Sequence, residues 1–344
     1  MRLLGLLFSI AAVIALSSCG TANAPSGTGT PQSSGGKTGD TQFKAALVTP
    51  GAINDGGWSE NAYKGLKKIE SELGAKVSNA VAGSPTDAIN AFREFAKQDT
   101  NLIIGHASEW FDPQTLEIAK ARPKSTFLIS GSENAQDNVA GVRFLLEDGC
   151  YVLGQIAGAI SKSGKLGCVG PKELPVIAST FHAFEQGAKS VRPDIKVEIV
   201  WTNDWADVAR AKERTLILIE NGADVIFHNA NDGAPGVFQA VQSKKDKGVL
   251  CFGSNADQNA MADDVILASA VLDIPSVFVS LAKKVKDGTF DRKVQFVGMP
   301  DGFVWVSYNK KLEDRIPADV KKRADETAEK IKKREFEVPR LKLK

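Results

Sequence analysis

Four short stretches of this 344-residue chain gather the residue types that could do chemistry, and each comes straight after an apolar run. Asn54-Asp55-Gly56-Gly57-Trp58 follows the run from Phe43 to Pro50, and Trp201-Thr202-Asn203-Asp204-Trp205 follows Val197 to Val200. Asn229-Ala230-Asn231-Asp232-Gly233 follows Asp224 to Phe227, and Gly253-Ser254-Asn255-Ala256-Asp257-Gln258 follows Val249 to Phe252. Indoles sandwich planar rings, while carboxylates and amides accept or exchange hydrogen bonds with ring N–H groups and sugar hydroxyls. One aspartate after a strand is only a helix cap. Four such loops together describe a polar cleft with flat walls, so Asn54, Asp55, Trp58, Trp205, Asn229, Asp232 and Asp257 are candidate ligand contacts. Trp58 reads equally well as a core aromatic at the start of a helix.

Other chemistries find no support. His106, His182 and His228 have no metal-ligand spacing, and no G-x-S-x-G elbow occurs. The run from Gly158 to Gly164-Lys165 imitates a P-loop but has one residue too many between its glycines. Leu166 also stands where Ser or Thr would hold magnesium. No G-x-G-x-x-G follows the first strand, which disfavours a dinucleotide. The cysteines at 19, 150, 168 and 251 are widely spaced without a C-x-x-C, so zinc is not expected. No metal, cofactor or catalytic residue is therefore assigned. A net charge of +2 is too small to argue for nucleic acid, and the basic C-terminal segment is interleaved with Glu and Asp. Neither a solenoid repeat nor an internal membrane span is visible.

The elements that must position these residues alternate along the chain. Apolar runs at Leu102–Ile104, Thr126–Ile129, Leu166–Val169 and Val265–Ala268 join the four above as strands, separated by amphipathic helical patterns. One helix opens with Ser84 as cap and Pro85 at the first helical position, and turns Ala88, Ile89, Phe92, Phe95 and Ala96 inward. Another runs from near Asp207 to Asn221 and stops at Gly222. Repeated βα order argues for parallel sheets covered on both faces, and small ligands bind beyond the carboxyl ends of such strands. The alternation is too long for one sheet. It restarts at Leu166 after a helix from Gly149 to Ile160, so two similar α/β lobes joined at a hinge follow. Val294–Val297 and Phe303–Ser307 are left as crossovers or edge strands.

At the N-terminus Arg2 precedes an apolar run from Leu3 to Leu16, the length of a signal-peptide core. Leu16-Ser17-Ser18-Cys19 resembles the lipobox of bacterial lipoproteins, which implies lipidation of Cys19 after removal of residues 1–18. Residues 19–42 are rich in Gly, Ser, Thr, Pro and Ala and read as a flexible tether reaching roughly 25 Å. Cys168 and Cys251 lie in apolar runs and read as buried thiols.

The chain resembles the basic membrane protein family, the PnrA-like purine nucleoside receptors, from Phe43 to roughly Pro339. The motifs that carry the likeness are Asn54-Asp55-x-x-Trp58, and Phe181-x-x-Phe184-x-x-Gly187 after Leu174-Pro175-Val176-Ile177. Trp205-x-Asp207-x-x-x-Ala211-Lys212-Glu213 and the loop Phe252 to Gln258 complete the set. The resemblance implies a type I periplasmic-binding-protein fold of two doubly wound parallel-sheet lobes. The first would hold 43–148 with about 273–290, and the second 149–272 with about 291–344.

It implies, further, a lipid-anchored substrate-binding subunit of an ABC importer on the extracytoplasmic side. Such a subunit takes a purine nucleoside or nucleobase and works with permease and ATPase subunits. Trp58 and Trp205 would stack on the purine, with Asn54 or Asp55 at the ring edge and Asp257 toward the ribose. Either Glu147 or Asp148 would be the acidic contact near the first crossover. The family's sugar-contacting lysine is replaced, with Leu272 at its position, which leaves a free base such as adenine open. The rival readings are a sensor of the same fold or a nucleoside-cleaving enzyme using Asp55, Asp232 and Asp257. The enzyme would lack the clustered calcium-site aspartates or basic phosphate pocket it needs. A repressor of the related fold is excluded by the export signal and the missing helix-turn-helix.

Overall fold

Apolar runs flanked by Gly-rich turns form two parallel-dominated sheets in the computed structural model, which describes residues 42–54 and 57–341. Cys19 and Asp55 therefore lie outside the described residues. In chain order the first half comprises β1 (Lys44–Thr49), α1 (Trp58–Leu73), β2 (Lys76–Val81), α2 (Pro85–Lys97), β3 (Leu102–Gly105) and α3 (Pro113–Lys120). It closes with β4 (Thr126–Ser130), β5 (Ala135–Gln136) and β6 (Val139–Phe144). The second half holds α4 (Glu147–Ile160), β7 (Lys165–Gly170), α5 (Pro175–Val191), β8 (Lys196–Trp201), α6 (Val208–Glu220) and β9 (Val225–His228). It continues with α7 (Ala234–Gln242), β10 (Leu250–Asn255) and β11 (Ile266–Leu272). The chain ends with α8 (Ile274–Lys286), β12 (Gln295–Val297), β13 (Val304–Tyr308) and α9 (Ala318–Lys332).

Among the described residues the first sheet runs β12-β6-β4-β3-β1-β2, all parallel, with β5 antiparallel on β6. The second runs β13-β11-β10-β9-β7-β8, parallel except for the antiparallel edge strand β13. Strand order reverses on either side of β1 in one sheet and of β7 in the other, the mark of doubly wound winding. The two segments that periodicity left unplaced are thus the edge strands of different sheets. Because Gln295–Val297 pairs with Val142–Phe144, sheet membership moves the last crossover from about residue 291 to 298–303. The helix expected from Gly149 begins two residues earlier, so Glu147 and Asp148 belong to its first turn.

Besides the two-residue β5, two strands escaped the apolar pattern for opposite reasons. β2 is an outer strand with an exposed Lys76 and no fully buried residue, whereas β6 is buried throughout but is interrupted in sequence by Gly141 and Arg143. Gly141 is required there, since a Cβ would come within 2.2 Å of the Ser132 carbonyl oxygen. The local signals read from sequence hold. Ser84 accepts from the Asp87 N–H, Asp207 accepts from the Arg210 N–H, and Gly222 is left-handed at φ +100° beyond α6.

The crossovers lie side by side. Leu145 N–H donates to the Val297 carbonyl at 2.8 Å, and Asp273 N–H donates to the Phe303 carbonyl at 2.9 Å. Next to them α4 and α5 pack backbone against backbone. A Cβ at Gly154 would meet the Phe184 carbonyl oxygen at 2.0 Å, and one at Gly187 would meet that of Tyr151 at 2.0 Å. Cys150, Cys168 and Cys251 are all buried and free, and burial pushes their thiols up, which keeps them inert.

Candidate functional site

A cavity of about 280 Å³ opens at the carboxyl ends of both sheets, where the winding rule places ligands. From the first half it is lined by Pro50 and Gly51 after β1, Trp58 at the start of α1, and Ser108 after β3. Ser130 closes β4, and Arg143 and Phe144 close β6. From the second half come Leu174, Val176, Ile177 and Thr180, then Trp205, Asn229, Asp232 and Asn255, with Leu272 at the end of β11. The sequence-derived candidates Trp58, Trp205, Asn229 and Asp232 are therefore brought together.

Trp58 is half-buried and held on several sides. Its ring stacks on His106 with centroids 4.0 Å apart and planes 20° apart, and it meets Phe144 edge-on at 5.8 Å. Its indole N–H donates to the His106 carbonyl at 3.0 Å, and its own carbonyl accepts from His106 Nε2 at 3.1 Å. Trp205 differs: it is 38% exposed, with Lys172 Nζ 5.8 Å from its ring centre. Its loop is internally tied, because the Asp204 carboxylate accepts from the N–H groups of Ala206 and Asp207. Those two bonds hold the carboxyl below its ordinary value.

Asn229 joins the second half's polar wall. Its side-chain oxygen accepts from Asn255 Nδ2 at 2.9 Å, and its Nδ2 donates to Thr180 Oγ1 at 3.3 Å. Asp232 sits where the halves approach each other, since a Cβ added to Gly57 would lie 3.8 Å from its Oδ1. Ser130 Oγ is buried against the cavity and has no hydrogen-bond partner among the described residues. That leaves it a donor and an acceptor for whatever enters.

The remaining candidates are placed elsewhere. Asn54 is exposed and does not line the cavity. Glu147 is buried with both oxygens on the Arg143 guanidinium, whose Nε also donates to Glu133 at 2.9 Å. A buried carboxylate needs such a partner, so Glu147 is committed to the wall rather than turned to a ligand. Asp148 accepts from the Met299 N–H at 3.0 Å and pairs with Arg340. Burial raises its pKa, while Arg340 and the Met299 N–H lower it; the net direction is upward. Asp148 is thus part of the crossover, facing neither the cavity nor solvent. Asp257 is exposed, with its carboxylate accepting from Ser307 Oγ at 2.6 Å and the Asn259 N–H at 3.1 Å. That draws it toward β13 and away from the cleft.

Arg143, Ser130 and Thr180 went unread in the sequence. Ser130 ends a strand before Gly131, the same signal that marked the other loops, but a lone hydroxyl carries little weight. Arg143 interrupts an apolar run and reads as solvent-facing until β12 covers that edge.

Chemically the cavity presents indole and aliphatic surface together with amide, hydroxyl and charged groups, the last from Glu109, Arg143 and Asp232. Among the described residues no group of three or more His, Cys, Asp or Glu is placed to hold a metal ion. Both inner histidines are neutral: burial brings His106 down to about 3 and His228 to about 4, from an ordinary 6.5.

Comparison with known proteins finds a matching family, relatives in sequence and solved structures of the same fold. The family described as "ABC transporter substrate-binding protein PnrA-like" (Bmp) matches residues 42–342. A purine-binding protein of Brucella abortus (strain 2308) is 29% identical over 300 residues, covering 86% of this chain and 82% of the relative. The ABC transporter nucleoside-binding protein BmpA of Lactococcus lactis subsp. cremoris is 29% identical over 270 residues, 73% of this chain and 77% of its own. A solved ABC transporter solute-binding protein from Aeropyrum pernix K1 superposes with a TM-score of 0.75 at 19% identity. It covers 87% of this chain and 94% of that one.

Proposed function

The chain belongs to the Bmp family of PnrA-like ABC transporter substrate-binding proteins, and from that premise we propose that its cargo is a purine nucleoside or free purine base. The ring is sandwiched between Trp58 and Trp205, with the Asn229–Asn255 amide pair, Thr180, Asp232 and Ser130 lining the cavity around its polar edge. The protein works outside the cytosol, moored through Cys19, and hands the loaded form to a permease and its ATPase. Binding and release suffice for this role, so no covalent step is assigned.

The observation that carries the reading is that two indoles 147 positions apart in sequence, one from each half, line one cavity about the size of a single nucleoside. Their flat faces suit a heteroaromatic ring, and a purine has hydrogen-bonding groups around its whole edge. The names of the Brucella and Lactococcus relatives point to the same ligand class. Calorimetric titration of the mature protein against adenine, guanine, hypoxanthine, their nucleosides, and sugars and amino acids as controls tests it. Binding of sugars or amino acids alone would remove the purine and leave the fold untouched.

A further inference from the structure

We infer that His106 is a positioning residue for the ligand, acting through Trp58. The inference rests on the reading that Trp58 stacks on the cargo, and deepens it by saying what fixes that wall in place. His106 follows β3 directly, is fully buried, and its N–H donates to the Val48 carbonyl at 2.9 Å, so its backbone is anchored to the sheet. From there it grips Trp58 three times. The His106 carbonyl takes the indole N–H, its Nε2 reaches the Trp58 carbonyl, and its ring lies under the indole at 4.0 Å. Phe278 of α8 meets the imidazole edge-on at 5.7 Å and closes the far side.

Each contact constrains a different freedom of Trp58. The indole N–H bond fixes the ring's rotation, the stack fixes its plane, and the carbonyl bond fixes the backbone where α1 begins. Because that last acceptor is a carbonyl, Nε2 carries the proton and the neutral tautomer is specified. Nδ1 is then a buried acceptor, without a partner among the described residues.

Two functional consequences follow. The Trp58 indole N–H is taken by the His106 carbonyl, so the side chain offers the ligand π surface alone, and discrimination among ring substituents belongs to polar groups elsewhere in the cavity. The wall is held by the protein's own groups, with no contact that a ligand must supply. Binding need not immobilise a free side chain, a saving that corresponds to about three- to tenfold in affinity.

A double-mutant cycle with adenine and adenosine tests this. His106→Ala should weaken binding about three- to tenfold in the native background and have no further effect in a Trp58→Ala background. His106→Gln, which keeps a donor for the Trp58 carbonyl without the flat ring, should fall between. Equal losses in both backgrounds, or no loss in the native one, would overturn the inference. A ligand-free arm uses 5-fluorotryptophan labelling, the line missing from Trp58→Phe being that of Trp58. In His106→Ala and His106→Gln that line should shift and broaden; an unmoved line in both overturns the role. If the native protein bound neither purine while the line still moved, the cargo assignment would fail and the positioning role would stand.

Discussion

Truncating Trp58 or Trp205 removes one face of the proposed sandwich, and each base–aromatic stack is worth about 1–3 kcal/mol. Trp58→Ala and Trp205→Ala should therefore each weaken purine binding by roughly ten- to a hundredfold, read by calorimetry. Unchanged affinity in both would reject the sandwich. Ser130 allows a sharper separation of binding from folding. Its buried hydroxyl has no partner to lose among the described residues, so Ser130→Ala should leave the thermal midpoint unchanged or slightly raised. Ligand affinity should fall by up to about tenfold, the value of one hydrogen bond. At this scale loops after apolar runs led to Trp58, Trp205, Asn229 and Asp232, which line one cavity, but the same signal also picked out Asn54 and Asp257, which do not, and passed over Ser130, which does. The sequence was not readable for Glu147, Asp148 and Asp257. A carboxylate's type says nothing about whether Arg143, Arg340 or Ser307 has already claimed it.

Between elements, the most consequential contact is the one Asp148 makes at the crossovers. It joins the first turn of α4 to the Met299 N–H before β13 and to Arg340 in the C-terminal segment. Removing one partner of a buried pair costs about 3–5 kcal/mol, because the other charge is stranded. Arg340→Met should therefore lower the urea midpoint substantially, and adding Asp148→Asn should recover much of the loss. A double variant no more stable than Arg340→Met would show that the pair contributes little. The α4–α5 contact makes a second demand. With no room for a Cβ at Gly187, Gly187→Ala should destabilise by about 1–3 kcal/mol or more through backbone separation. The sequence pointed to both helices through their apolar periodicity, yet nothing local distinguishes a glycine at a helix crossing from one at a turn.

For the molecule as a whole, the buried histidines make stability depend on acid. His106 and His228 have native values of about 3 and about 4, against an ordinary 6.5. The unfolded chain therefore binds protons that the folded one refuses, and stability falls as pH drops from about 6.5 toward those native values. The loss approaches about 1.4 kcal/mol per pH unit for each ring once pH lies well below 6.5, so the pair removes about 4 kcal/mol between pH 6.5 and 4.5. That is a large share of the stability of many domains. Urea midpoints at pH 7.0, 5.5 and 4.5 should decline steeply for the native protein and less so for His228→Asn. A flat profile would mean that neither imidazole is kept neutral by burial.

Hydrophobic period, cap residues and turn glycines act over a few neighbours. Most of the strands, the Ser84 cap and the doubly wound α/β class were therefore legible in the amino-acid order itself. Which half β12 joins, which carboxylates are neutralised and which histidine steadies an indole depend on groups brought together from distant parts of the chain. Those were decided only by tertiary packing, because burial and ion pairing are properties of assembled surfaces and leave no local pattern to read.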